Sequence, residues 1–435
     1  MSFGFSELGQ KTVLALAVKA LAIGVLFLLN IIVSRTLGVD EAGMFFLVQT
    51  VVMIAVAISR LGFDNVIVKV FSRYHSKGES WRIWALYKNV LATIFVSSSV
   101  IAIIIFALRV LIGSAIFSNE LLEVVLVVAA PCIILLNIIT YHAFCFQGLK
   151  FIFERVVFES LAHSSVFLLA ILLLKPTTAL ELFTVYLYAL LATLIVAMLR
   201  WFNVARLNIN LSCYTLHNSY KADFLSALAS AKIMLSVVVT TQIVHWSSVI
   251  IIGIYSAPSD VAIFFASLKT ASLISFVLVA INAAAAPTFA ALYGHGDITS
   301  IDRLALRISR ATFLFTAPLL TLVMLWADEI ILLFGSDFIE GGDVLRVLAL
   351  GQFVNAATGP VGYILQMTDG EAAMRKGVLV GAVVAIIGGL TLIPLYGILG
   401  AAIVTTCAVT TQNLLCVWFV RQSLGFNALY LWRKI

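Results

Sequence analysis

Five polar or cationic side chains stand inside long apolar runs that should exclude them: Lys19, Gln49, Arg60, Lys232 and Lys269. A charge at the centre of a transmembrane helix costs about 2.5–3.5 kcal/mol on insertion scales, so it must face water, a ligand or a partner. Lys269 is the deepest, about nine residues or roughly 13 Å into its run at the rise of a helix. Its stem cannot easily reach the outer surface from there. Lys232 and Lys19 lie about eight and seven residues from an inner end, where snorkelling inward competes with lining a passage. Arg60 is nearer still to an inner end, and an interface anchor paired with Asp64 competes with ligand contact. A lysine offers a mobile point charge with three N–H donors, which suits a phosphate or diphosphate.

The acids are placed differently. Glu123, Glu159, Glu181, Asp328 and Glu329 all fall near the ends of apolar runs, and none lies deep within one. Exporters of cationic drugs coupled to H+ or Na+ commonly need a buried carboxylate to hold the ion and attract the cargo. Lysines without carboxylates repel cations and attract phosphate. No Gly-rich phosphate loop, metal-spaced His/Cys set or nucleophile triad is visible, so the chain is expected to hold no cofactor and to be no enzyme. Whether H+ or Na+ drives it stays open. His142 and His245 read as satisfied polar packers. Trp81, Trp84 and Tyr87 read as anchors in an inner interfacial belt. The five cysteines form no CxxC pair, and because four of them sit in apolar runs the reading is of small buried hydrophobes. Pro287, Pro318 and Pro360 are placed to bend helices.

The elements that must position these residues follow from composition. The chain has 435 residues, 62% hydrophobic and 11% charged, with mean hydropathy +1.12. Soluble domains carry about 25% charged residues, so the bilayer is the solvent here. The net charge of +6 therefore reflects loop topology and does not imply nucleic-acid binding. The first apolar run lacks a cleavage site and is expected to remain as a membrane anchor.

About twenty apolar residues cross a hydrocarbon core as a helix. On that measure the spans are Thr12–Ser34, Ala42–Phe63, Lys88–Ile112, Leu121–Cys145, Val157–Leu174 and Leu182–Trp201. A second set is Phe224–Ile251, Val261–Ala285, Ala311–Ala327, Val344–Met367, Met374–Pro394 and Ile398–Val420. The fold class expected is thus an all-α polytopic membrane protein of about twelve transmembrane helices in two six-helix lobes. Lys and Arg gather in alternate gaps, as in Lys69–Lys88, Lys150–Arg155, Arg303–Arg310, Arg375–Lys376 and the tail Arg433–Lys434. The positive-inside rule then places both termini in the cytoplasm. The lobes are expected over residues 1–205 and 224–435, joined by a cytoplasmic linker over 206–223. Leu37–Thr50 aligns without gaps on Ala257–Thr270, with Asp40/Asp260, Ala42/Ala262, Phe45/Phe265 and Thr50/Thr270 coinciding. This is the mark of a parallel repeat, and it puts Gln49 at the position equivalent to Lys269.

Four segments carry a family resemblance: Ser34–Gly43 as an R-x-LG…G turn, Arg60–Asn65 as an LG-hydrophobic-D helix end, Gly359–Gly362, and Ile393–Ala402 as P-x-Y-G-x-x-GAA. In this order they resemble the polysaccharide-exporter branch of the multidrug/oligosaccharidyl-lipid/polysaccharide (MOP) exporter superfamily, and most of all its O-antigen (Wzx-type) flippases. The resemblance implies a MATE-like V of two six-helix lobes in a bacterial inner membrane, with a central cavity lined largely by helices one, two, seven and eight. It implies a cargo of undecaprenyl-pyrophosphate-linked oligosaccharide, moved by alternating access. Lys269, Lys232, Lys19, Arg60 and Gln49 are the candidate cargo-binding residues, and a glycan polymerase is a candidate partner beside membrane lipids. The rivals are a cation-coupled drug or metabolite antiporter, a membrane glycan polymerase or glycosyltransferase, and a scaffold in glycan assembly. Short outer gaps disfavour the enzyme, and a scaffold leaves the embedded lysines without a task.

Overall fold

The computed structural model describes residues 5–208 and 219–427, and no strand occurs among them. In lipid a chain must satisfy its own backbone groups, and continuous apolar runs do so as helices. The chain divides into two compact units. The first comprises Met1–Leu37 and Met44–Val239, and the second Gly38–Gly43 and Thr240–Ile435. The first unit holds α1 (Phe5–Leu37), most of α2 (Val39–Ser59), α3 (Phe63–Ser76), α4 (Ser80–Ala107) and α5 (Leu121–Gly148). It continues through α6 (Ile152–Val156), α7 (Ala162–Leu174), α8 (Ala179–Asn208) and the first part of α9 (Ser219–Tyr255). The second unit holds the remainder of α9, then α10 (Pro258–Gly294), α11 (Ile298–Ile331), α12 (Gly341–Ala357), α13 (Val361–Met367) and α14 (Glu371–Leu424). Of the expected linker, residues 209–218 lie outside the described residues, as do Cys213 and the basic pair Arg433 and Lys434.

Ten described helices are long and apolar enough to cross a membrane, or eleven if α12 and α13, bent by 42° at their junction, form one broken span. The 54-residue α14 would be about 80 Å long if straight, more than twice a hydrocarbon core. Gly397 interrupts it with φ 55° and ψ −135°, a conformation that a side chain would disfavour. The break falls between the two expected spans Met374–Pro394 and Ile398–Val420. Pro360 stands at the α12–α13 bend. Pro318 lies within α11 without interrupting it, and the non-helical residue there is Trp326. The side chain of Pro287 is outside those described.

The repeat extends well beyond the aligned segment. Helix starts pair as Val39/Pro258, Ser80/Ile298, Leu121/Gly341 and Ile152/Glu371, a nearly constant offset of about 219 residues. The copies differ in where they break. The chain turns at Arg60–Gly62 between α2 and α3, whereas α10 runs on unbroken; α5 is continuous, whereas α12 and α13 are split.

Two sequence expectations fail in the first unit. The basic stretch after span two contains a helix, α3, where a connection was expected. Phe63, Ile67, Phe71 and Tyr74 recur at helical spacing and are buried, while Lys69 and Arg73 stay exposed on the opposite face. The charges made that face look like loop. Tyr87 is not a belt residue either: it is 3% exposed, and its ring lies 5.0 Å from that of the fully buried Trp201. Its hydroxyl meets His142 Nε2 at 3.0 Å, and His142 Nδ1 lies 2.7 Å from the Ile138 carbonyl, so this histidine is satisfied on both sides. Beside them Asn137, fully buried on α5, donates to Ser59 Oγ at 2.6 Å and Ser98 Oγ at 2.9 Å, knotting α2, α4 and α5 together.

Candidate functional site

Lys269 sits on α10, eleven residues after its start, or about 17 Å along the helix. Trp246 sits on α9, nine residues before that helix ends, or about 14 Å back from the same turn at Ser256–Ala257. The two antiparallel neighbours therefore bring these side chains to similar depth. The Lys269 ammonium lies 4.6 Å from the Trp246 ring centroid and 4.9 Å from that of Phe265. Phe265 is four residues before Lys269, hence on the same helix face. The two rings are nearly parallel, 15° apart with centroids at 6.2 Å, and form an aromatic shelf under the cation. Ser267 Oγ donates to the Gly341 carbonyl at 3.2 Å and Ser275 Oγ to Gln352 Oε1 at 2.8 Å, so α10 is tied to α12 on both sides of Lys269.

The electrostatic setting of this lysine differs from that of the ion-paired arginines. Arg60, Arg82, Arg155, Arg200 and Arg346 each hold a carboxylate. Among the described residues Lys269 forms no ion pair and rests on ring faces instead. Ring quadrupoles attract a cation by about 0.5–2 kcal/mol, more as water is excluded, without neutralising it. The charge stays available to an anion arriving on the side away from the rings.

The other candidates lie in the first unit, apart from Lys269 in the chain's division. Arg60 pairs with Asp64 at 2.9 Å, the partner its spacing suggested. Lys232 is exposed on α9 and makes no ion pair among the described residues. It follows Ala231, whose carbonyl would lie 2.4 Å from a Cβ at Gly62. Only a glycine, here with φ +80°, allows that approach. Phe63 and Phe224 stack beside it with centroids 6.4 Å apart. The Arg60–Asp64 corner and the Lys232 segment are thus brought together. Lys19 is half-buried on α1, with no ion pair among the described residues. Gln49 hydrogen-bonds the Tyr186 side chain, while its Oε1 is buried without a partner. Sequence reasoning missed Trp246, Phe265 and Tyr186 as partners of these residues. Equal distance from a shared turn would have found the first, and i, i+4 spacing the second.

No described group of three or more His, Cys, Asp and Glu residues could hold a metal ion. The described candidates are cations and hydrogen-bonding side chains carried on a set of broken and continuous apolar helices. In fold the bundle is similar to solved MATE transporters. The chain belongs to the polysaccharide biosynthesis protein family, whose sequence model matches residues 8–293. The MatE family model also matches residues 233–395. In fold the chain is similar to the lipid II flippase MurJ in an inward closed conformation, with TM-score 0.72 and 14% identity over 94% of this chain and 87% of that one. An inward-facing multidrug resistance MATE transporter gives TM-score 0.69 and 14% identity, with 94% of each chain covered. A MOP superfamily transporter from Pyrococcus furiosus, described by the reverse polarity of its binding pocket, gives 0.64 and 13% over 94% and 95%. No curated protein matches the sequence. The protein is therefore a multi-pass membrane protein whose structural relatives are transporters and flippases.

Proposed function

We propose that this protein is a flippase for polyprenyl-diphosphate-linked oligosaccharides, carrying repeat units of O-antigen or another surface polysaccharide from the cytoplasmic to the periplasmic leaflet of a bacterial inner membrane. Twelve spans with both termini inside would complete its topology. The observation that carries the reading is Lys269, a deep ammonium with no counter-ion among the described residues, on a polysaccharide-family chain. In this mechanism Lys269 holds the diphosphate, with Lys232 and Lys19 assisting, while Arg60 and Gln49 contact the cargo near them. The polyprenyl tail stays in the bilayer, where each buried CH₂ gains about 0.8 kcal/mol. Alternating access exposes the head first inward, then outward. A polymerase acting on the delivered units is the natural partner.

The test is a Lys269→Ala variant in cells that depend on this protein for their surface glycan. A hydrogen bond to a charged group is worth about 1.5–3 kcal/mol. Export should therefore fall at least about tenfold at unchanged membrane abundance. Full export by that variant removes Lys269 from the mechanism. The MatE match over residues 233–395 supports a second reading, a cation-coupled antiporter. That reading predicts drug resistance on expression and a phenotype that depends on a carboxylate.

A further inference from the structure

Lysines buried in proteins are usually held by a carboxylate, which fixes the ammonium but also cancels it. Lys269 is fixed by other means. Its Nζ stands over Trp246 and Phe265 at 4.6 and 4.9 Å, and those rings are themselves mutually stacked. Phe265 is 3% exposed and supported within its helix pair, whereas Trp246 keeps part of its surface open. We infer that Trp246 is a positioning residue for the cargo site: its ring face holds the Lys269 ammonium in place, uncancelled, for an incoming diphosphate. This rests on the flippase reading above and adds to it the residue that pre-organises the cation.

The physical reasoning is one of entropy and charge. A free lysine stem carries rotamer entropy that a ligand must remove. An aromatic face removes it beforehand, because the cation is attracted to the ring but forms no hydrogen bond with it. The ammonium keeps its N–H donors for phosphate oxygens, and among the described residues no carboxylate is paired with it to repel them. An ion-paired lysine at the same depth would lack both properties.

Two measurements test the inference. The first needs no cargo: tryptophan emission of the purified protein in nanodiscs, compared between wild type and Lys269→Met. A cation over the indole perturbs its emission, so the two spectra should differ, and the difference should vanish in a Trp246→Phe background. Identical wild-type and Lys269→Met spectra would overturn the placement. The second is binding of farnesyl diphosphate to the same nanodiscs. Trp246→Leu should weaken binding about 5- to 30-fold, the range expected from losing a desolvated cation–π contact. Trp246→Phe, which keeps a ring face, should stay within about threefold of wild type, and Trp246→Leu should add nothing once Lys269 is methionine. If Trp246→Leu binds like wild type, or Trp246→Phe is as impaired as Trp246→Leu, the ring face is not what matters and the inference fails. If wild type itself binds no diphosphate, the cargo reading fails with it. The emission experiment then still decides whether Trp246 holds Lys269.

Discussion

Replacing Gly62 by alanine should cost this protein about 2–5 kcal/mol. The methyl group would stand 2.4 Å from the Ala231 carbonyl oxygen and 2.7 Å from the Leu235 nitrogen. Both are backbone atoms of α9, so neither can rotate away. Overpacking of this kind costs about 1–3 kcal/mol. Gly62 also has φ +80°, where an L-residue pays a further 1–2 kcal/mol or so. The damage should reach function, because α9 must shift away from the Arg60–Asp64 corner and carry Lys232 with it. A good control is Gly24→Ala on α1, where an added methyl would meet nothing within 4 Å. The assay is thermal unfolding in detergent beside glycan export in cells. Gly62→Ala should melt at least about 2 °C below wild type, taking about 1 °C per kcal/mol for a chain of this length, and Gly24→Ala should be near neutral. If both variants melt within 1 °C or so of wild type, the close packing of α2–α3 on α9 is not what holds this corner.

Two other perturbations probe features away from the lysine. Asn137→Leu removes the donor that Ser59 and Ser98 share and should lower stability by about 1–2 kcal/mol; a melting curve unchanged from wild type would show that the knot contributes nothing. Asp297 caps α11 by accepting the Ser300 backbone N–H at 3.0 Å, and its hydrogen bonds to Ser300 hold its carboxyl below the usual range. A depressed folded-state pKa stabilises at pH values above the ordinary carboxylate range, and that contribution is lost as pH falls through the lowered value. The melting-temperature gap between wild type and Asp297→Ala should therefore shrink on acidification from pH 7 towards pH 3.5 or so; a gap that widens would reverse the assignment.

How much of this was legible in the sequence depends on the range of the interaction. The spans follow from hydropathy alone, and the pause at Tyr396–Gly397 was readable because Pro394 and Gly397 punctuate an apolar run. The register of Leu37–Thr50 on Ala257–Thr270 anticipated a repeat whose helix starts the structure also pairs. Charge misled at α3, where Lys69 and Arg73 on one face hid the buried Phe63, Ile67 and Phe71 on the other. It misled again at Tyr87, whose neighbours Trp81 and Trp84 suggested an interface, because only the packing of α5 and α8 reveals the pocket that receives its ring. Lys269 stood out as a buried charge, but a list of charges records no aromatic neighbours. Its shelf depends on how the α9–α10 hairpin is matched across its turn, a long-range fact in a chain read locally.

The repeat gives the two halves different chemistry at one inherited address. Gln49 and Lys269 hold equivalent positions, yet the first is a neutral amide bonded to Tyr186 and the second an ammonium on rings. Of the two equivalent positions only the later one carries a charge. Symmetry of the backbone and asymmetry of the side chains thus coexist at one repeated position of the chain.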